Sequence, residues 1–203
     1  YSQPDMLAAA IMDKLIPGAE FSGTGNFWKQ HTGLLHGLKD LGYQYQHLSY
    51  ADLEAGKLPA DEYRVVFLTL ASCLSDEAVS ALRRFVEAGG TLVVDGRAGL
   101  LTGDGRLRDQ RALDEILGVR AAAGLDALKQ VSAQADASLT IPAAATPATA
   151  KRSGVERPIT LTVLEPTLQP TTAKALGTAG DAPILLVNTL GKGRAVTTNF
   201  AWG

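Results

Sequence analysis

The chain has 203 residues, 46% hydrophobic and 20% charged, with 19 basic against 21 acidic side chains and a net charge of -2. That balance excludes a disordered chain and lacks the basic excess of a nucleic-acid footprint. A single cysteine excludes an internal disulfide or a thiolate zinc site, and no apolar run reaches the ~18 residues of a membrane span. The opening residues Tyr1 to Asp5 carry no basic leader region, so the chain reads as a piece cut from a longer one.

Pro4 to Ile16, with Met6, Leu7, Ile11 and Leu15 at helical spacing, predicts a first helix. If that helix follows a parallel strand, most of the strand precedes Tyr1. Leu34, Leu35, Leu38 and Leu41 predict a second helix over Thr32 to Leu41, with Gly42 as its stop. Tyr43 to Leu48 alternates polar and apolar residues and predicts a strand. Arg64 to Leu70 is an unbroken, β-branched apolar run, the pattern of a strand covered on both faces. Ser75 then offers a hydroxyl N-cap, Asp76 and Glu77 suit the positive end of a helix, and Val79, Leu82, Phe85 and Val86 form one apolar face. Gly89 and Gly90 end this helix, and Thr91 to Val94 is a second buried strand. Strand, helix and strand within ~30 residues make a βαβ unit with a right-handed crossover.

Downstream, Gln110 to Leu117 predicts a short helix ended by Gly118. Residues 120–150 are Ala-rich and read as an insertion or loop, with Ala137 to Ile141 as an edge strand. Ile159 to Leu164 reads as a half-exposed strand. Pro183 to Thr189 and Ala195 to Phe200 flank a Gly-Lys-Gly turn and predict a β-hairpin. Together these elements predict one α/β domain over residues 1–203. Its expected form is a flavodoxin-like, doubly wound, mostly parallel sheet of strand order 2-1-3-4, with helices on both faces and a C-terminal hairpin.

Several groups invite a chemical reading. Cys73 follows a predicted central strand at a helix start, where a thiol pKa is lowered, but a catalytic thiol needs a histidine base. His31, His36 and His47 all lie early in the chain, and the bland reading of Cys73 is a buried free thiol. The five-residue spacing of His31 and His36 puts them on different helix faces, so no metal site and no cofactor are expected. Asp95-Gly96-Arg97 follows the strongest buried strand, as a turn or as part of a strand-end crevice with Ser2, Gln3, Ser72 and Cys73. The Gly23/Gly25 and Gly103/Gly105 pairs do not fit a phosphate cradle. Arg97, Arg106, Arg108 and Arg111 form a basic cluster, read as a solvated loop or a subunit contact. Phe27 and Trp28, in a Gly-rich loop, suit a sugar ring, a core edge or an interface.

Tyr63 to Val119, with its motif "FVEAGGTLVVDG", resembles the class I glutamine-amidotransferase-like domain of family 42 β-galactosidases, called their trimerisation domain. The start "YSQPDMLAAAI" and the ending "APILLVNTLGKGRAVTTNFAW" are similar to that domain's first-strand exit and closing hairpin, so the resemblance covers about three quarters of the chain. It fails over Arg120 to Ala150. An active amidotransferase of that superfamily carries its nucleophilic cysteine after the strand equivalent to Thr91 to Val94, where this chain has Asp95, Gly96 and Arg97. No histidine follows His47 to complete a triad. The resemblance therefore implies a non-catalytic module of a larger carbohydrate-active protein, serving in oligomerisation or in lining an active site. A small-ligand or sugar-binding domain is the alternative, and a Cys73 hydrolase a third. The partners implied are the rest of the parent protein, further copies of the chain and a carbohydrate. The compartment, bacterial cytoplasm or export, stays open.

Overall fold

The computed structural model describes residues 25–95, 97–124, 133–139, 159–163 and 165–200, and the side chains of 31–95, 97–124 and 165–200. The helix predicted over Pro4 to Ile16 lies outside the described residues. Helix α1 runs Gly25–Asp40. It ends where predicted, since Gly42 adopts φ +77° and the Tyr43 N–H returns to the Leu38 carbonyl at 2.9 Å. It begins earlier than predicted, so Phe27 and Trp28 are helical and not in a loop. A short helix α2, Tyr50–Glu54, is capped by Ser49, whose hydroxyl accepts from the Asp52 N–H at 3.1 Å.

The βαβ unit forms as its pattern requires, except that its first strand is not covered on both faces: Val65 and Phe67 are exposed, because no described strand or helix lies over that face. Strand β1, Val65–Leu68, leads through the two-residue β2, Cys73–Leu74, into α3, Asp76–Glu87, and then β3, Thr91–Asp95. Ser75 caps α3 by accepting from the Ala78 N–H at 3.1 Å. The helix stops in a Schellman pattern, Gly89 N–H to Val86 O and Gly90 N–H to Phe85 O, both 3.0 Å. Ala78, Ala81, Leu82, Phe85 and Val86 are buried and belong to the same core cluster as Leu92, Val94 and Ala195 of the sheet. Each large side chain so buried is worth about 1.5–3 kcal/mol of transfer free energy.

The rest of the chain is β4, Leu101–Thr102; α4, Asp114–Leu117; β5, Val119–Arg120; β6, Ala133–Leu139; β7, Ile159–Val163; β8, Gln169–Pro170; β9, Lys174–Ala179; β10, Ala182–Leu190; and β11, Gly193–Thr198. Seven strands form one sheet in the order β1-β3-β11-β10-β9-β6-β7. In this sheet β1, β3 and β11 are parallel, and every other described pairing is antiparallel. The sheet is therefore mixed, and the expectation of a mostly parallel one fails among the described residues. For β9, β10 and β11 the physical reason is their connections of two residues, which suit antiparallel pairing, while parallel pairing needs a crossover. The hairpin forms as predicted, β10 to β11 with Gly191 at φ +60°. The predicted Ala137 strand is longer, begins at Ala133 and sits inside the sheet between β9 and β7, not at its edge. Tyr43 to Leu48 joins no ladder among the described residues, because alternation makes a strand only where a partner lies alongside.

Two glycines fix this packing. Gly193 starts β11 beneath α3, where a Cβ would collide with the Val86 and Gly90 carbonyl oxygens. Gly118, at φ +63°, ends α4, and its carbonyl accepts from the N–H groups of Thr171, Thr172 and Ala173 at 2.8, 3.1 and 2.9 Å. A Cβ there would lie 2.6 Å from Asn188 Cγ and 2.7 Å from the Ala173 nitrogen. Gly118→Ala is expected to lower unfolding free energy by about 2–4 kcal/mol in urea titration, through strain and overpacking together.

Candidate functional site

The carboxyl ends of β1 and β3 are where a ligand crevice was expected, and a buried carboxylate organises them. The Asp95 side chain accepts from the Leu70 N–H through one oxygen and from the Arg97 N–H, at 3.1 Å, through the other. Leu70 takes φ +46°, a left-handed conformation that a side-chain residue holds at a cost. The loops after β1 and β3 then zip together: Gly99 N–H to Ala71 O at 2.9 Å and Leu101 N–H to Ser72 O at 2.8 Å. The β2–β4 pair continues that seam. Arg108 locks it, its guanidinium donating to the Leu74 carbonyl at 2.8 Å and to the Asp76 carboxylate at 2.7 Å.

Behind the seam lies a second buried polar group. Arg111, only 5% exposed, sits with Nε 3.6 Å from Asp114 Oδ1 and Nη1 3.8 Å from Glu165 Oε2. Glu165 is itself 2% exposed and accepts from the Thr167 hydroxyl at 2.6 Å and the Thr167 N–H at 3.1 Å. Asn199 ties this loop to the sheet: its amide accepts from the Glu165 N–H at 2.8 Å and donates to the Glu165 and Pro183 carbonyls at 2.8 and 3.0 Å. Burial pushes the Asp95 carboxyl above its ordinary range, against the opposing pull of the Leu70 and Arg97 N–H groups and of Arg111. Burial likewise pushes Asp114 up to about 6, against the attraction of Arg111 and the Ala121 N–H.

Of the expected crevice residues, Ser72, Cys73 and Asp95 are described and all are closed to solvent, while Arg97 is half-buried beside Asp95. Ser2, Gln3 and Gly96 lie outside the described residues. Cys73 is buried and not in a disulfide. The histidines do not gather round it. His31 on α1 packs against His47 with ring centres 5.8 Å apart, and Tyr45 meets His47 edge-on at 5.5 Å. Partial burial and repulsion from His47 hold the His31 pKa below its ordinary value. Among the described residues no group of three histidine, cysteine or carboxylate side chains could hold a metal ion. The arginine cluster is not a solvated loop. Arg106 pairs with Asp104 at the surface, but Arg108 is mostly covered and Arg111 is in the core. Sequence reading missed Asp114, Glu165 and Asn199. The signal available was three polar residues inside otherwise apolar, turn-bounded segments, and nothing local said which would meet Arg111.

Residues 51–199 match the family model of the beta-galactosidase trimerisation domain. The chain belongs to that family. Among solved structures it is similar to a beta-galactosidase from Bacillus circulans sp. alkalophilus, at 18% identity and TM-score 0.52 over 72% of this chain and 21% of that one. It is similar to an exo-beta-1,4-mannosidase from Opitutaceae bacterium strain TAV5, at 15% identity and TM-score 0.58 over 92% and 28%. A cytoplasmic protein from Salmonella typhimurium matches at 14% identity and TM-score 0.57 over 84% and 74%. Identities this low show the fold alone. The trimerisation-domain chain spans about a fifth of the length of the beta-galactosidase it resembles. No curated protein matches it. None of its described helices is long and apolar enough to cross a membrane.

Two outcomes follow from the buried carboxylates. Asp95→Ala strands the Leu70 and Arg97 N–H groups in a dry site and is expected to cost about 2–4 kcal/mol in urea denaturation. For Asp114 the folded pKa exceeds the unfolded one of 3.8, so its contribution is fully present below that value and is lost as pH rises through about 6. Between pH 5 and 7.5 it removes roughly 1–1.5 kcal/mol of stability. Asp114→Asn is expected to shrink the difference between urea midpoints at those two pH values by that amount, and an unaltered difference would show that Asp114 ionises normally.

Proposed function

We propose that this chain is a non-catalytic, amidotransferase-like module of a larger carbohydrate-active protein, and that it serves to hold copies of that protein together. The observation that carries the reading is the trimerisation-domain match over residues 51–199. The chemistry at the strand ends agrees with it. Where an amidotransferase would carry a nucleophile after β3, this chain has Asp95, and both of its oxygens are spent on holding the Leu70 and Arg97 backbone. A carboxylate so committed and buried is a structural clamp, not a reagent. A flavodoxin-like, doubly wound arrangement is part of this reading. Its support is the parallel β1–β3–β11 core with α3 crossing from β1 to β3. Residues 1–203 are taken as a single domain, with residues 120–150 as its insertion.

The test is the mass in solution. Light scattering on the purified chain is expected to give about three times the 21.3 kDa of the monomer at tens of micromolar. A monomer throughout that range removes the oligomerisation role. A second reading, a small-ligand or sugar site at the strand ends using Arg97 with Ser2, Gln3 and Gly96, rests on the half-buried position of Arg97 beside Asp95. Calorimetric titration with galactose or mannose is expected to give saturable heat under that reading, and none under the first.

A further inference from the structure

Leu41 is the most exposed large apolar side chain among the described residues, at 72%. It stands in the turn after α1, where the backbone is fixed by the Leu41 N–H on the Gly37 carbonyl at 3.1 Å and the Gly42 N–H on the Lys39 carbonyl at 2.9 Å. Beside it Asp40 is also exposed and makes no ion pair among the described residues. As the last residue of α1 it sets a negative charge on the negative end of the helix dipole, which is unfavourable. Local structure therefore gives no reason for an acid at this place.

A pocket of about 170 Å3 lies between α3 and the turn that follows α2, its walls including Gly56, Leu58, Pro59, Phe85 and Ala88. An apolar cavity of ~150 Å3 takes in a benzene-sized group, so this one has room for a single branched side chain. Its one charged wall is Arg84, which is exposed, with Nη2 3.9 Å from where a Cβ on Gly56 would stand. The neighbouring Arg83 is paired with Glu115 at 2.6 Å, but Arg84 makes no ion pair among the described residues. Turn and pocket match in both respects. Adjacent residues present a leucine and a carboxylate, and adjacent walls present a leucine-sized hollow and a guanidinium. Leu41, being exposed, does not fill the pocket of its own chain.

We propose that Leu41 of one copy seats in this pocket of the next copy, with Asp40 against Arg84, and that the contact links three copies into a closed ring. The proposal rests on the trimer reading above and names the surfaces that would make it. The contact joins two different patches, so it is heterologous, and contacts of that kind close into a ring when the rotation between copies allows. The turn that carries Leu41 is already fixed in the free chain, so seating it costs little ordering. Tyr43 and Tyr45, exposed on the same stretch, extend the apolar surface beyond Leu41, and Pro59 and Ala88 are exposed on the pocket side. Seating Leu41 also takes the Asp40–Arg84 pair out of water, so removing either partner costs more than it would for a pair at an open surface.

Light scattering over a dilution series of the 203-residue chain tests this, with circular dichroism to show that each variant is folded. Leu41→Asp and Arg84→Glu are each expected to raise the concentration at half assembly by about tenfold or more. Asp40→Arg alone does the same. Asp40→Arg combined with Arg84→Glu puts opposite charges back across the contact and is expected to recover most of the loss. Single variants that assemble as the wild type does overturn the proposal, as does a double variant no better than Arg84→Glu alone. Saturable heat from isocaproate, a leucine-sized carboxylate, that is lost in Arg84→Glu while every variant keeps the wild-type mass assigns the pocket to a small ligand and also overturns it. A wild-type mass other than three chains removes the trimer reading and this one with it. A wild-type mass of three chains with unaffected variants removes this one alone.

Discussion

The structure depends on β11 having two different neighbours at once. On one side it runs parallel to β3, Ala195 beside Leu92 and Thr197 beside Val94; on the other it runs antiparallel to β10, Val196 beside Val187. A strand in this position must satisfy both ladders, and its composition follows. Ala195 is fully buried beneath α3, Gly193 leaves room for the Val86 and Gly90 carbonyls, and Thr198 donates to the Val94 carbonyl at 3.3 Å. The turn before it is pinned to the end of α3 by the Lys192 N–H on the Glu87 carbonyl at 3.0 Å and the Arg194 N–H on the Gly90 carbonyl at 3.2 Å. One hairpin therefore joins the crossover half of the sheet to the meander half.

The same joint explains the buried polar residues. Where β11 ends, the backbone leaves the sheet and needs partners away from water. Asn199 supplies them in both directions, to Glu165 and to Pro183. Asn188 does the same on β10, donating to the Ile116 carbonyl at 2.9 Å while its oxygen accepts from the Thr172 hydroxyl at 3.0 Å. Arg111, Asp114 and Glu165 fill the space between. Their contacts at 3.6 and 3.8 Å have the reach of ion pairs but not of close hydrogen bonds. Such a cluster adds little net stability over an apolar filling, but breaking one member of it is expensive. It specifies how the loops over the strand ends are seated.

That seating bears on function. Among the described residues, the loops after β1 and β3 are held together at the strand ends by Asp95 on one side and Arg108 on the other. Loops fixed in this way suit structural work.

What the sequence determined by itself was whatever depends on neighbours a few residues apart. The Ser75 cap, the apolar face of α3, its Gly89-Gly90 stop, the strands β1 and β3 and the closing hairpin were all legible, because capping, helical periodicity and turn glycines act within one or two turns of chain. The end of α1 was legible for the same reason, while its start was not, since nothing local separates the helical Phe27 and Trp28 from the loop expected there. The direction of the late strands, the inclusion of β6 inside the sheet and the absence of a ladder for Tyr43–Leu48 among the described residues were decided only by tertiary structure, because a ladder is a contact between segments tens of residues apart. The burial of Arg111 belongs with them. An arginine beside Asp109 looks like a surface residue until Glu165, brought by the fold from more than fifty residues away, turns out to be its partner.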